Sequence, residues 1–201
     1  MIYPRGGWGR AISYVKLRVR RLPGTPESIG RGVWAGVFAT FTPFFGVHFI
    51  VAAIVARVMR GNLLAALMST FIGNPLTFFA IGYVSLRTGY WMLGLELRES
   101  TVRSFGPKFV DAWQELKHNI WAMFTDEKAD WDGLAVFYEE IFYPYLIGGI
   151  LPGVLTATAI YYLSVPVIRA YKMRRLARIK AKFEAIKRSA DVAADAGLKP
   201  E

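Results

Sequence analysis

The 201-residue chain has no cysteine and two histidines. Without thiols there is no disulfide framework, no thiolate zinc site and no cysteine nucleophile, and the redox compartment is left open. His48 and His118 are far apart in sequence, so a histidine metal centre has no local support and a hydrogen-bonding role for His48 is favoured. Charge is scarce too. Asp, Glu, Lys and Arg make up 20% of the chain, against roughly 25% in an average globular protein. That charge is lopsided, with 25 basic residues to 15 acidic ones. There is no Gly-rich phosphate loop, no pair of catalytic carboxylates and no serine nucleophile elbow, so neither an enzyme nor a bound cofactor is expected.

What the chain has instead is apolar surface: 54% hydrophobic residues, 15% aromatics and a mean hydropathy of +0.30. Disorder and a nucleic-acid-binding globule are both excluded as descriptions of the whole chain. The composition is that of a membrane protein.

Residues 1–24 interleave Arg10, Lys16, Arg18, Arg20 and Arg21 with Ile12, Val15, Leu17, Val19 and Leu22. Basic residues break every apolar run, so the stretch does not read as a signal peptide. It reads as an amphipathic helix on an anionic cytoplasmic leaflet. Thr25, Pro26 and Glu27 then form a helix start, as N-cap, first helical residue and acid in the first turn.

Two uncharged runs of 24 residues follow, Val33 to Ala56 and Leu63 to Leu86, separated by Arg57, Arg60, Gly61 and Asn62. Each could reach about 36 Å as one helix, enough for a bilayer core. Each also carries a breaker near its middle, Thr42-Pro43 with Gly46 in the first and Gly73-Asn74-Pro75 in the second. Residues 87–133 are mixed, and Phe109, Trp113, Leu116 and Ile120, widened by Trp121 and Phe124, predict an amphipathic helix. Asp126 to Gly133 reads as a solvated loop. Ile141 to Ile168 is a third uncharged region, containing Pro144, Gly148, Gly149, Pro152, Gly153 and Pro166. It predicts either one tilted span or a hairpin turning at Gly148 to Gly153. Beyond Arg169, Leu176, Ile179, Phe183 and Ile186 predict a basic amphipathic helix, and the stretch from Ser189 has too little apolar surface to order itself. The organisation expected is therefore residues 1–24, a membrane domain over 25–172, and a basic helix with a tail over 173–201.

Of the 25 basic residues, 17 lie before Val33 or after Ile168, which by the positive-inside rule places both termini in the cytoplasm. Matching ends require an even number of crossings, yet three apolar regions are present, so one must be re-entrant or a hairpin. The first choice makes Val33 to Ala56 re-entrant around Pro43 to Gly46. The alternative folds Ile141 to Ile168 back on itself. The class expected is an all-α, polytopic integral membrane protein with broken or re-entrant helices and basic amphipathic helices at both ends.

Polar and conformationally special residues inside apolar spans are candidates for function. Here these are Thr42, Pro43, Gly46 and His48 in the first run and Thr70, Asn74, Pro75 and Thr77 in the second, with Arg57, Arg60 and Asn62 at a basic mouth. Two half-helix N-termini facing each other would form a site for an anionic group. The plainer reading gives these residues packing and capping roles, with Thr hydroxyls bonded to their own helix and Asn74 capping the second half-helix.

The sequence Gly32-x-x-x-Gly36, Thr42-Pro43-Phe44-Phe45-Gly46-Val47-His48, Arg60-Gly61-Asn62, Thr70-x-x-Gly73-Asn74-Pro75-Leu76-Thr77 and Gly89 resembles a bacterial membrane family known as domain of unknown function 2062. The resemblance runs from about Pro26 to Gly94 and more loosely to about Lys172. His48 stands where the pattern carries Gln or His. The resemblance implies an inner-membrane protein of Gram-negative bacteria with no established activity. Fusion of the domain to glycosyltransferase or methyltransferase modules in some members points toward lipid-linked sugars or the envelope.

The resulting expectation is a small transporter or lipid-handling protein of the cytoplasmic membrane, multi-pass and homo-oligomeric. Its partners are membrane lipids with anionic headgroups and not nucleic acid. The competing expectation is a non-transporting scaffold that anchors an envelope-biogenesis partner through its basic terminal helices.

Overall fold

The computed structural model describes residues 23–125 and 127–195. The basic segment expected over residues 1–24 lies almost wholly outside them, as do Asp126 and residues 196–201. Among the described residues all regular structure is helical.

Helix α1, Pro26–Thr40, starts as its sequence predicts: the Thr25 hydroxyl accepts from the Ser28 amide at 3.1 Å and Pro26 opens the first turn. It stops just before Thr42-Pro43, where the residue preceding proline disfavours helical dihedrals. After the turn at 41–47, α2 runs over His48–Val58. The two are antiparallel and joined by alanines, Ala35 and Ala39 of α1 meeting Ala52 and Ala56 of α2, with Ala66 of α3 in the same cluster. With 15 and 11 residues they reach only about 22 and about 16 Å.

Helix α3, Leu63–Ser69, and the 3-10 turn Thr70–Ile72 run alongside α1. Chain direction then changes by 91° into α4, Pro75–Met92. Short α5, Glu99–Arg103, precedes α6, Phe105–Ala122. Next, α7 (Asp132–Phe137) leads through a π turn (Tyr138–Phe142) into α8, Tyr143–Asp195.

Helix α8 is the spine on which α1 and α4 pack. It is continuous where the alternative topology placed a hairpin, and both Pro152 and Pro166 lie inside it. Its glycines serve as crossing points: Gly148 lies against the backbone of Ser85 and Gly89, and Gly149 against the Phe41 carbonyl. In the same way Gly32 and Gly36 of α1 lie against the carbonyls of Asn62 and Ala66. Missing Cβ atoms let backbones touch, the small-x-x-x-small packing common between helices in lipid. The helix also extends to Asp195 through the Ala-rich stretch that the sequence reading left unordered, because alanine favours helix without needing a buried face.

Helix α6 forms as predicted, but with a different inner face. Phe105, Ala112, Asn119 and Ala122 are buried, while Trp113, Ile120, Trp121 and Phe124 are exposed. Asn119 explains the choice: its side chain accepts from the Asp130 amide at 3.0 Å and donates to the Asp130 carbonyl, which turns that edge inward and fixes the loop before α7. Aromatic packing holds α4, α6, α7 and α8 together through Phe78, Phe105, Phe109, Phe137 and Tyr145.

Among the described residues one continuous helical run, Asp132–Ser189, made of α7, the π turn and most of α8, is long and apolar enough to cross a membrane, and only 22% of its most apolar window is buried in the fold.

Candidate functional site

The two breaker motifs meet. In the α1–α2 turn, Gly46 takes φ 81°, which a side chain would oppose, and this swings Phe45 inward. The Phe45 ring packs edge-on to Phe78 and Phe109, at 4.6 and 4.7 Å between centroids, and stacks on Tyr145 at 5.7 Å. The turn is therefore plugged into an aromatic cage. Opposite it, Gly73 lies so close to α1 that a methyl there would sit 3.0 Å from the Thr40 side chain.

Most of the hydroxyls are already committed. Thr40 donates to the Val37 carbonyl, Thr42 to Ala39 and Thr70 to Leu67, each at 2.7 Å. Asn74 and Thr77 cap α4 reciprocally: the Thr77 amide donates to Asn74 Oδ1 at 3.2 Å and the Asn74 amide to Thr77 Oγ1 at 3.0 Å. Thr77 Oγ1 also donates to the Ile72 carbonyl. The first turn of α4 is thus occupied by its own side chains, contrary to the expectation of two open N-termini. Helix α2 is the open one, since no side chain caps it at Val47.

Two spaces flank His48. The inner one, lined by Thr40, Thr42, Phe45, Gly73 and Tyr145 with His48, measures about 20 Å³, room for about one water molecule and too little for a phosphate group. One atom of its lining, His48 Nδ1, is buried without a hydrogen-bond partner among the described residues, while the Tyr145 hydroxyl has the Ser85 side chain as its polar neighbour. The outer space is an open groove of about 500 Å³ between the start of α2 and the α3–α4 bend, where His48, Thr70 and Asn74 sit among Phe49, Leu67 and Phe71. Pro75 opens α4 beside it.

Arg57, Arg60 and Asn62 are not part of this groove. They lie at the far end of α2, where they shape a turn. Arg60 adopts φ 53°, its carbonyl accepting from Arg31 Nη2 at 3.0 Å. Gly61 lies against the Arg31–Gly32 backbone, where a side chain would not fit. Asn62 is fully used: Oδ1 accepts from the Ala65 amide at 2.8 Å, Nδ2 donates to the Pro23 carbonyl at 2.7 Å, and its amide donates to Ser28 at 2.8 Å. At this end α8 is tied down as well, by Arg169 to Glu27 at 2.6 Å and by Lys172 to the Gly24 carbonyl. The Arg169 guanidinium holds the Glu27 carboxyl below its ordinary value.

Tyr145, Ser85 and Phe45 were not singled out from sequence. Tyr145 sits one helical turn before the Gly148-Gly149 crossing, which is what places it in the core.

The Gly-x-x-x-Gly contact, the Arg-Gly-Asn turn and the Asn-Pro-x-Thr cap each have a geometric role in this fold. A family profile described as "Uncharacterized protein conserved in bacteria (DUF2062)" matches residues 9–177. The chain belongs to this family. No curated protein and no solved structure matches it. The DUF2062 match takes in α1 to α7 and ends within α8, so α8 from Arg178 onward lies past it.

Proposed function

We propose that this DUF2062 protein is a multi-pass protein of the bacterial cytoplasmic membrane that binds an anionic lipid headgroup, or a similar anionic amphiphile, in the groove beside His48, and acts in lipid handling or transport. The observation that carries the reading is the groove itself: a polar corner of His48, Thr70 and Asn74 set in an apolar wall. It stands on a molecule whose most apolar helix is mostly uncovered. Such a surface suits an acyl chain with a headgroup at its polar end, and the uncapped first turn of α2 supplies amide donors with the favourable end of a helix dipole.

The topology in this proposal has two crossings. Exposed apolar side chains such as Leu163, 71% exposed, and Phe71, 80% exposed, are costly in water. One crossing is α8 and the other the bent α3–α4 pair. Helices α1 and α2 are too short to traverse about 30 Å. Both their outer ends gather at the basic pole with Arg169, so the hairpin enters and leaves by the cytoplasmic face and both termini are cytoplasmic.

Native mass spectrometry of the detergent-purified protein with added phosphatidylglycerol tests this. Retention of lipid by the wild type, and at least tenfold weaker retention by His48→Ala at normal membrane abundance, is the expected result. Arg60→Ala should retain lipid, since Arg60 lies away from the groove. If the wild type holds no anionic lipid, or His48→Ala holds it equally well, the groove is not a lipid site.

A further inference from the structure

Beyond the tie points at Arg169 and Lys172, α8 continues as an exposed stalk. From Met173 to Ser189 every residue is exposed. Leu176, Ile179, Phe183 and Ile186, spaced 3-4-3, form an apolar seam along it, 53% to 69% exposed. Arg175 and Lys182 flank one side of that seam and Lys180 and Lys187 the other, the positions that in a heptad contact a partner helix. Between residues 169 and 188 there are nine Lys or Arg and a single acid, Glu184.

We infer that the face of α8 formed by Leu176, Ile179, Phe183 and Ile186 is a docking surface for an acidic amphipathic helix of a partner protein. Charge excludes the occupants nearer to hand. In a parallel pair of copies Arg175 would face Lys180 and Lys182 would face Lys187, and an antiparallel pair sets like flanks together again. The chain's own first 22 residues carry six Lys or Arg and no acid, so they are repelled in the same way. A bilayer surface is disfavoured by direction: no Pro or Gly follows Pro166 in α8, and the helix axis leads the stalk away from any membrane that its apolar part crosses. Duplex nucleic acid would engage the cations but leaves a row of four large apolar side chains unused. A helix with apolar residues at seam positions and acids on both flanks satisfies the seam and its margins together. The inference does not depend on the groove being a lipid site.

The test uses the full-length protein in phosphatidylcholine nanodiscs, titrated by fluorescence anisotropy with a labelled helical peptide carrying Leu at seam positions and Glu at the flanks. Binding is expected, weakened more than tenfold when the flanks are Lys or the seam is Ser, and weakened more than tenfold by the double variant Ile179→Ser and Phe183→Ser at unchanged melting temperature. Equal binding of the Ser-seam peptide, or an unaffected double variant, would overturn the inference. So would displacement of the peptide by a DNA duplex at equal charge concentration. A spin label at Ile186→Cys, on the seam itself and unique in a cysteine-free chain, should stay accessible to an aqueous relaxant in phosphatidylglycerol nanodiscs; loss of access there assigns the face to the bilayer instead.

Discussion

Gly89 of α4 lies directly on the carbonyl of Pro144 at the start of α8, with no space between them for a methyl group. Gly148 reciprocates one turn later against the Gly89 backbone. The α4–α8 crossing therefore rests on backbone contact. Gly89→Ala should force the helices apart and cost about 1–3 kcal/mol or more, read as a lower melting temperature in detergent and reduced membrane abundance. Gly106→Ala, where the nearest atom outside its own helix is 3.5 Å away, is the matched change expected to be near neutral.

Asn62 holds three elements at once. Asn62→Ala should lose about 1 kcal/mol for the α3 cap alone, and more through the unanchored Pro23 carbonyl. Asn62→Ser keeps a capping oxygen but cannot donate to Pro23, so its melting temperature should fall between the other two. Equal loss in both variants would mean the cap contributes little.

Thr77 closes the other half of the family motif. Thr77→Val preserves shape while removing a hydroxyl that accepts from Asn74 and donates to Ile72. A loss on the order of 1 kcal/mol is expected, with local amide exchange accelerating at the α3–α4 bend while the α1–α2 hairpin stays protected.

Phe45 is the plug of the hairpin turn. Phe45→Ala deletes three ring contacts and should cost about 3 kcal/mol. Protease or hydrogen-exchange mapping should show the turn at 41–47 opening before α8 does. Phe45→Leu, which retains apolar volume without the edge-to-face geometry, should recover part of the loss.

Acidification reports on the basic pole. The Glu27 carboxyl lies below its ordinary value of 4.5 because of Arg169. Its contribution is complete above about that pH and disappears as pH falls through the lowered folded value. Glu27→Gln should therefore melt lower than wild type at pH 7 and approach it at pH 3. A gap that is constant across this range would show that the ion pair does not stabilise the fold.

The chain's punctuation was more legible than its assembly. Thr25-Pro26-Glu27 starts a helix, and Pro43 and Asn74-Pro75 end or bend one, because dihedral limits and capping act within a few residues. The fate of the glycines was not legible. Gly148 and Gly149 permit either a turn or a helix crossing, and only the partners Ser85, Gly89 and Phe41, all distant in sequence, decide. The same holds for α6, where Asn119 outweighs Trp113 and Ile120 because it satisfies the backbone of Asp130. For the candidate site, His48, Thr70 and Asn74 line one groove. Arg57 and Arg60 do not, since the α2 axis carries them to the opposite end of the hairpin.

The π turn at Tyr138–Phe142 bears on how this fold tolerates change in length. A wide turn of this kind absorbs one extra residue without ejecting a loop, at the cost of rotating all that precedes it by about 100° around the helix axis. That rotation is what aims Phe137 at Phe109, 4.8 Å away between ring centroids. Removing a single residue here would rewind the turn into ordinary helix and carry α7 off its partner, whereas the same deletion in the stalk past Lys187 would merely shorten it. Two positions on one uninterrupted helix thus differ sharply in how freely their length can drift.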